Sequence, residues 1–351
     1  MNRLATPWKG CEKITALDGK KKGNEDKMAS TLPTIAEVKH ATELIYGVMQ
    51  PTPQYCWPLL CERLGTEVWV KHENQTPTGA FKARTAVVYV EELMKRAPET
   101  RGLISATRGN HGQSVALAGK RFGMPVVIVV PQGNSVEKNA AMRAQGARMI
   151  EYGHDYQSAR EHAASLGAEL GFHFVPPYHR DIAKGVATYW LELFTAVADI
   201  DVAYVPIGMG SGACSGAAVR NGLGLKTKIV GVVSELAPAY ALSYEQGKCV
   251  EAAAQSKLAD GMSCRRPDEE ALRFLIENID HMVRVSEAEV ADAMRFMFTD
   301  THNVVEGAGA APLAAALKEA EKLRGKKVAL IASGANVDHD VFARVLQGAV
   351  D

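Results

Sequence analysis

Lys82 is the first residue in this chain whose type and position could do chemistry. It stands near the end of the run His72-Glu73-Asn74-Gln75-Thr76-Pro77-Thr78-Gly79-Ala80-Phe81-Lys82-Ala83-Arg84, where a strand pattern gives way through a Thr-, Pro- and Gly-rich turn to a helix. A lysine in the first turn of a helix opposes the helix dipole, and apolar Ala80 and Phe81 favour its partial desolvation. Both effects lower an amine's pKa, as a Schiff-base lysine requires. From this turn alone, a solvated surface lysine stays open. A second junction, Ser105-Ala106-Thr107-Arg108-Gly109-Asn110-His111-Gly112-Gln113, places small, hydroxyl and amide residues at a helix start. Such a turn exposes backbone N–H groups that can hold a carboxylate. Simple N-capping by Thr107 or Asn110 is the alternative.

The third junction, Val205-Pro206-Ile207-Gly208-Met209-Gly210-Ser211-Gly212-Ala213, lets backbone approach a ligand closely at a helix N-terminus, which suits a phosphate. The same segment matches GxGxxA with Glu235 after the next strand, so a dinucleotide site is a rival reading. The fourth, Ala332-Ser333-Gly334-Ala335-Asn336-Val337-Asp338, closes the last strong strand pattern. Taken alone it reads as a turn.

These junctions need an alternating scaffold, and the sequence supplies one. Strand-like runs at EVWVKHE, GLISAT, PVVIVV, ARMIEYG, FHFVPP, VAYVPIG, KIVGVVSE, HMVRVS and VALIASG alternate with helical segments. The helices are expected over Ala83 to Arg96, Gly112 to Phe122, Val136 to Gln145, Tyr156 to Leu170, Gly185 to Val197, Glu287 to Thr299 and Ala310 to Leu323, with a further one starting at Ala213. Continuous β-branched runs between helices indicate parallel strands covered on both faces, an α/β doubly wound architecture. In such sheets ligands sit at the carboxyl ends of strands, where all four junctions fall. The chain has 351 residues, which suggests two domains. Residues 1–30 read as a loose Lys-rich extension. Residues 31–100 and 180–351 are expected to form the large domain, and 101–179 a small one inserted into it.

Together and in order, TGAFKAR, TRGNHGQ, the glycine loop after VPIG, and SGAN resemble the threonine/serine dehydratase family. These are pyridoxal-phosphate (PLP) enzymes of fold type II, the tryptophan-synthase-β-like fold, which also includes serine racemases. The resemblance runs from about residue 33 to 345, with weaker echoes at ADGM (Ala259 to Met262) and VVEGAGA (Val304 to Ala310). It implies two open, mostly parallel, doubly wound sheets and PLP as cofactor. It further implies that Lys82 is the Schiff-base lysine and takes the Cα proton, that Phe81 lies against the ring, and that Asn110 hydrogen-bonds the ring 3′-oxygen. Gly208, Met209, Gly210, Ser211 and Gly212 would cradle the phosphate, Ser333 would face the pyridine nitrogen, and Thr107, Asn110 and His111 would hold the substrate carboxylate.

The chain departs from the family pattern around the ligand. Ala80 stands where the family usually has Ser, Thr85 where it has Gly, Met209 within a run of glycines, and Ala335 at a second glycine. Arg108 takes the place of the racemase serine and is expected in the substrate pocket, and Ala241 removes an acid from the cation site of some relatives, so no metal is expected. The expected activity is dehydration of a 3-hydroxy amino acid to a 2-keto acid and ammonia. Arg108 and Met209 favour an aromatic substrate such as 3-phenylserine, through cation–π stacking. Threonine, serine or 3-hydroxyaspartate dehydration and racemisation are the alternatives within the family. A non-catalytic PLP- or dinucleotide-binding module is the reading from another class.

Composition fits a small-molecule enzyme. Lys+Arg and Asp+Glu are each 40, a balance that argues against nucleic-acid or membrane-surface binding. The apolar run Met124 to Pro131 is far short of the roughly 20 residues that span a bilayer. With no apolar signal core near the start, a cytoplasmic location is expected. An amino-acid substrate is the expected partner, and a homodimer is left open. The six cysteines have no zinc-type spacing and are expected as buried reduced thiols.

Overall fold

The computed structural model describes residues 32–349. The extension expected over residues 1–30 lies outside the described residues. Those residues carry ten strands: β1 (Gln54–Cys56), β2 (Glu67–Lys71), β3 (Leu103–Ala106), β4 (Val126–Val130), β5 (Arg148–Glu151), β6 (His173–Phe174), β7 (Val202–Pro206), β8 (Lys228–Ser234), β9 (His281–Val285) and β10 (Lys327–Ile331). They form a six-stranded sheet in the order β1-β2-β10-β7-β8-β9 and a four-stranded sheet in the order β5-β4-β3-β6. Every pairing is parallel except β1 with β2. The fold is therefore α/β with two mostly parallel, doubly wound sheets. The four-stranded sheet is built wholly from strands between residues 103 and 174.

Strand alternation explains why both faces of each sheet are covered. On β7, Val202 and Tyr204 join one buried cluster with the helices Glu287–Thr301 and Gly307–Lys318. Ala203 and Val205 face the other side, against the helices Arg180–Ala196 and Ser211–Gly222. The four-stranded sheet repeats the pattern. Val126, Ile128 and Val130 of β4 pack toward the helices Thr85–Arg96 and Asn110–Phe122, while Val127 and Val129 pack toward Tyr156–Leu170. Apolar runs without polar alternation are what such two-sided burial requires.

Among the described elements that go beyond the sequence expectation are the helix Ile35–Tyr46, β1, and the helices Pro58–Leu64, Ala239–Gln246, Glu269–Asn278 and His339–Leu346. The first carries a capping box, with Thr34 and Glu37 bonding reciprocally, a T-x-x-E signature readable in sequence. The three-residue strand β1 is too short to show a period. The turn at Lys82 also differs from expectation. Phe81–Arg84 forms a 3-10 turn and the α-helix starts only at Thr85, so Lys82 precedes the helix instead of lying in its first turn. Within the turn, Ala83 N donates to Ala80 O at 3.0 Å and Thr85 Oγ1 donates to Lys82 O at 2.8 Å, an i to i+3 pattern, and bonds from Phe81 N to Ser333 O and from Arg84 to Glu192 hold its two ends. The thiols correct a further expectation, for Cys214 and Cys264 are buried but Cys56 is exposed and Cys61 and Cys249 are half-buried, Cys11 lying outside the described residues.

Candidate active site

The turn before Lys82 is held by its own threonine and by the turn after β10. Ala80 N donates to Thr76 Oγ1 at 2.9 Å, and Thr76 Oγ1 donates to Ala80 O at 2.7 Å. Phe81 N donates to Ser333 O at 2.9 Å, and Ala335 N donates to Gly79 O at 2.8 Å. Gly79 is left-handed (φ 67°), and a Cβ there would fall 2.8 Å from Asn336 Oδ1. Glycine is thus required both for conformation and for space. Behind the turn, Arg84 is fully buried and makes a fork of charge-assisted bonds. Its Nε donates to Glu73 Oε2 at 2.8 Å, and its Nη1 donates to Glu192 Oε1 at 2.7 Å and Thr188 Oγ1 at 2.9 Å. Burial opposes the guanidinium charge, but Glu73 and Glu192 more than offset it and hold the group protonated.

Lys82 itself is half-buried, with its Nζ 5.0 Å from the Phe81 ring centroid. Desolvation brings its amine down from 10.5 to about 8. A sizeable fraction of neutral amine near pH 7–8 is what a nucleophilic or proton-abstracting lysine needs. His111 is buried close enough to feel this charge. Desolvation first, and then Lys82, lower its imidazole to about 3, so it is neutral. Its Nδ1 has no hydrogen-bond partner among the described residues.

The second and fourth turns meet through amides. Asn336 Nδ2 donates to Asn110 Oδ1 at 2.7 Å and to Thr78 O at 2.8 Å, and Asn110 Nδ2 donates to Glu306 Oε1 at 2.8 Å. Glu306 is 4% exposed, and its other oxygen, Oε2, is buried with no partner among the described residues. Desolvation raises its carboxyl to about 7, although Lys138 pulls the other way. Thr107 is buried, and its Oγ1 accepts from Gly109 N at 3.0 Å. The 13-residue helix Asn110–Phe122 starts after Gly109 with no side-chain cap, leaving its first N–H groups available to an anion.

The glycine loop is crowded where it must be. A Cβ on Gly208 would lie 2.3 Å from Gly261 O, and Gly210 is left-handed at φ 91°. The 12-residue helix Ser211–Gly222 also starts without a side-chain cap. Tyr240 donates to Met209 O at 2.9 Å, and Trp190 Nε1 donates to Gly212 O at 2.9 Å. Tyr189, beside Trp190, packs edge-on against Phe81 with ring centroids 6.3 Å apart. That contact links the glycine loop to the lysine turn.

This assembly fits pyridoxal phosphate. It offers a desolvated lysine amine, an uncapped helix N-terminus behind a loop that excludes Cβ atoms, and buried unpartnered polar atoms on His111 and Glu306. The family model of pyridoxal-phosphate dependent enzymes matches residues 45–334. The chain belongs to this family. It is 33% identical over 89% of its length to the L-threonine ammonia-lyase of Thermotoga maritima, covering 78% of that protein. It is 34% identical to the L-threo-3-hydroxyaspartate ammonia-lyase of Saccharomyces cerevisiae, over 91% of this chain and 98% of that one. Among solved structures, the processed form of threonine deaminase isoform 2 from Solanum lycopersicum superposes with a TM-score of 0.82 at 29% identity, over 90% of this chain and 94% of that one. The chain is thus a PLP-dependent fold type II enzyme related to threonine/serine dehydratases, a lyase acting on hydroxy amino acids.

Hydrogen bonds and packing join the turns carrying Phe81, Lys82, Thr107, Asn110, His111, Gly208, Met209, Gly210, Ser211, Gly212 and Ser333. Arg108 is placed differently from the pocket position expected of it: it is exposed, and its charge acts on Asp155. Along this turn Thr107 is buried, Arg108 exposed and Asn110 half-buried, so the Arg108 side chain lies on the solvent side. Two further residues join the site without a role expected from sequence. Glu306 stands alone in the otherwise apolar Val304–Ala311 segment, a pattern that places a carboxylate in a core. Asn336 lies within the fourth junction, where a turn residue was the plain reading. Among the described residues, no helix is long and apolar enough to cross a membrane.

Proposed function

We propose that this enzyme dehydrates a small 3-hydroxy amino acid, threonine or serine, to a 2-keto acid and ammonia. The observation that carries the reading is the desolvated Lys82 amine, held in a turn bonded to Ser333 and opposite the uncapped helix at Asn110. The cofactor would be held at Lys82, against Phe81, by Asn110 and Ser333 on its ring and by the loop Gly208–Gly212 on its phosphate. When bound, it supplies the electron sink that acidifies the substrate Cα–H. Lys82 Nζ takes that proton. The N–H groups at the start of Asn110–Phe122, with Thr107 and neutral His111, bind the substrate carboxylate and fix which Cα bond faces the amine.

Two placements support a small, uncharged β-substituent. Arg108 is exposed, which speaks against the stacking contact on which a 3-phenylserine preference rests. Lys138, the other cation by the Asn110 turn, is bound to Asp260 at 2.6 Å and is not free for a second carboxylate. The 3-hydroxyaspartate reading keeps a place because a relative of that name matches over nearly its full length. Measuring kcat/KM for threonine, serine, threo-3-hydroxyaspartate and 3-phenylserine by keto-acid release decides between them. The proposal expects threonine or serine to lead, and a clear preference for hydroxyaspartate or phenylserine overturns it.

A further inference from the structure

Outside the active site, Cys56 at the end of β1 and Cys61 in the helix Pro58–Leu64 place their Sγ atoms 3.4 Å apart. Cys56 is exposed, and Cys61 is half-buried, its sulfur accepting from Val68 N at 3.2 Å. One thiol is therefore open to a reagent while its neighbour is fixed behind it. Trp57 lies between them in sequence and reaches inward. Its Nε1 donates to His72 Nε2 at 2.9 Å, so that ring nitrogen is an acceptor and the proton resides on Nδ1, which donates to Asn74 Oδ1 at 3.1 Å. Desolvation lowers His72 to about 4, consistent with a neutral ring. Asn74 Nδ2 donates to Val304 O at 3.1 Å, two residues before Glu306. His72 also precedes Glu73, the residue that grips Arg84.

We infer that Cys56 and Cys61 form a reversible thiol–disulfide site that couples to the catalytic turn through Trp57, His72 and Asn74. The oxidant is a low-molecular-weight disulfide of the oxidised-glutathione class. Exposed Cys56 attacks one of its sulfurs, giving a mixed disulfide and releasing one small thiol. Cys61 then displaces the second small thiol and forms the Cys56–Cys61 bond. Two protein S–H bonds and one small-molecule S–S bond break; one protein S–S bond and two small-molecule S–H bonds form. The two electrons pass from the protein to the oxidant. Closure brings the sulfurs from 3.4 Å to the roughly 2.05 Å of a disulfide, which draws on the segment that carries Trp57. Partial desolvation of its sulfur, and then the neighbouring Cys61 thiol, push Cys56 up to about 11, so closure is slow near neutral pH and responds to sustained oxidant.

The test uses the holoenzyme incubated with oxidised glutathione, followed by peptide mass mapping without reduction. A peptide linked through Cys56 and Cys61, absent from Cys56→Ser and reversed by dithiothreitol, is expected. Oxidation should lower kcat/KM at least about 5-fold, the lower end of ordinary coupling between sites. Cys56→Ser should keep its activity through the same treatment. Glutathionylation that stops at Cys56, or a link between two chains, overturns the intramolecular site. A complete Cys56–Cys61 link with unchanged kcat/KM overturns its coupling to catalysis.

Discussion

At the scale of single residues, Glu306 and Lys82 carry the strongest consequences of burial. Glu306 is raised by desolvation from 4.5 to about 7. Between those values the folded chain holds a proton on this carboxyl that the unfolded chain has released. The associated stabilisation is full below pH 4.5 and is lost as pH rises through 7, by about 1.4 kcal/mol for each pH unit crossed in between. Glu306→Gln should therefore flatten the fall in Tm of the cofactor-free chain between pH 5 and 7.5. Equal slopes in the two proteins would show that Glu306 is ionised throughout. Lys82→Ala should cost several orders of magnitude in keto-acid formation, because one amine serves as both anchor and base. The Lys82 motif is legible in sequence because its turn residues bracket it. The outward direction of Arg108 is not, since a side chain's aim at a helix start depends on backbone angles that residue type does not encode.

At the scale of elements, the loops before helices carry the site, and their glycines and buried ions hold it. Gly208 has no room for a side chain beneath Gly261 O. Gly208→Val should displace the loop and lower PLP retention, read from the visible absorbance left after dialysis. Retention equal to the parent enzyme would move the phosphate elsewhere. Arg84 fixes the far end of the lysine turn to Glu73 and Glu192. Arg84→Met leaves two buried carboxylates with a lost partner, so urea unfolding should show a loss of about 3–5 kcal/mol. A loss below about 1 kcal/mol would mean that Lys71 or water compensates. The strands are legible because two-sided burial demands unbroken apolar runs such as VVIVV. The 3-10 turn at Phe81–Arg84 is not, because it follows from bonds to Ser333 and Glu192, residues more than a hundred positions away.

At the scale of the whole molecule, the start of the helix Val136–Ala144, which follows a strand of the four-stranded sheet, is tethered to loops that belong with the six-stranded sheet. Lys138 binds Asp260 at 2.6 Å, Ser135 Oγ donates to Asp338 Oδ1 at 2.5 Å, and His339 N donates to Glu137 Oε1 at 3.0 Å. The Lys138 stem also passes over Gly109, where a Cβ would meet its Cδ at 2.8 Å. Lys138→Ala should loosen the turn at Gly109 and raise KM for threonine while leaving kcat within a few-fold. A fall in kcat alone would instead assign Lys138 to the chemistry. The site rests on four turns meeting around one lysine, and borohydride reduction tests that most directly. Reduction of the yellow holoenzyme, followed by peptide mapping, should place the pyridoxyl mass on Lys82. The same mass on any other lysine, Lys138 or Lys184 included, would contradict this placement of the cofactor.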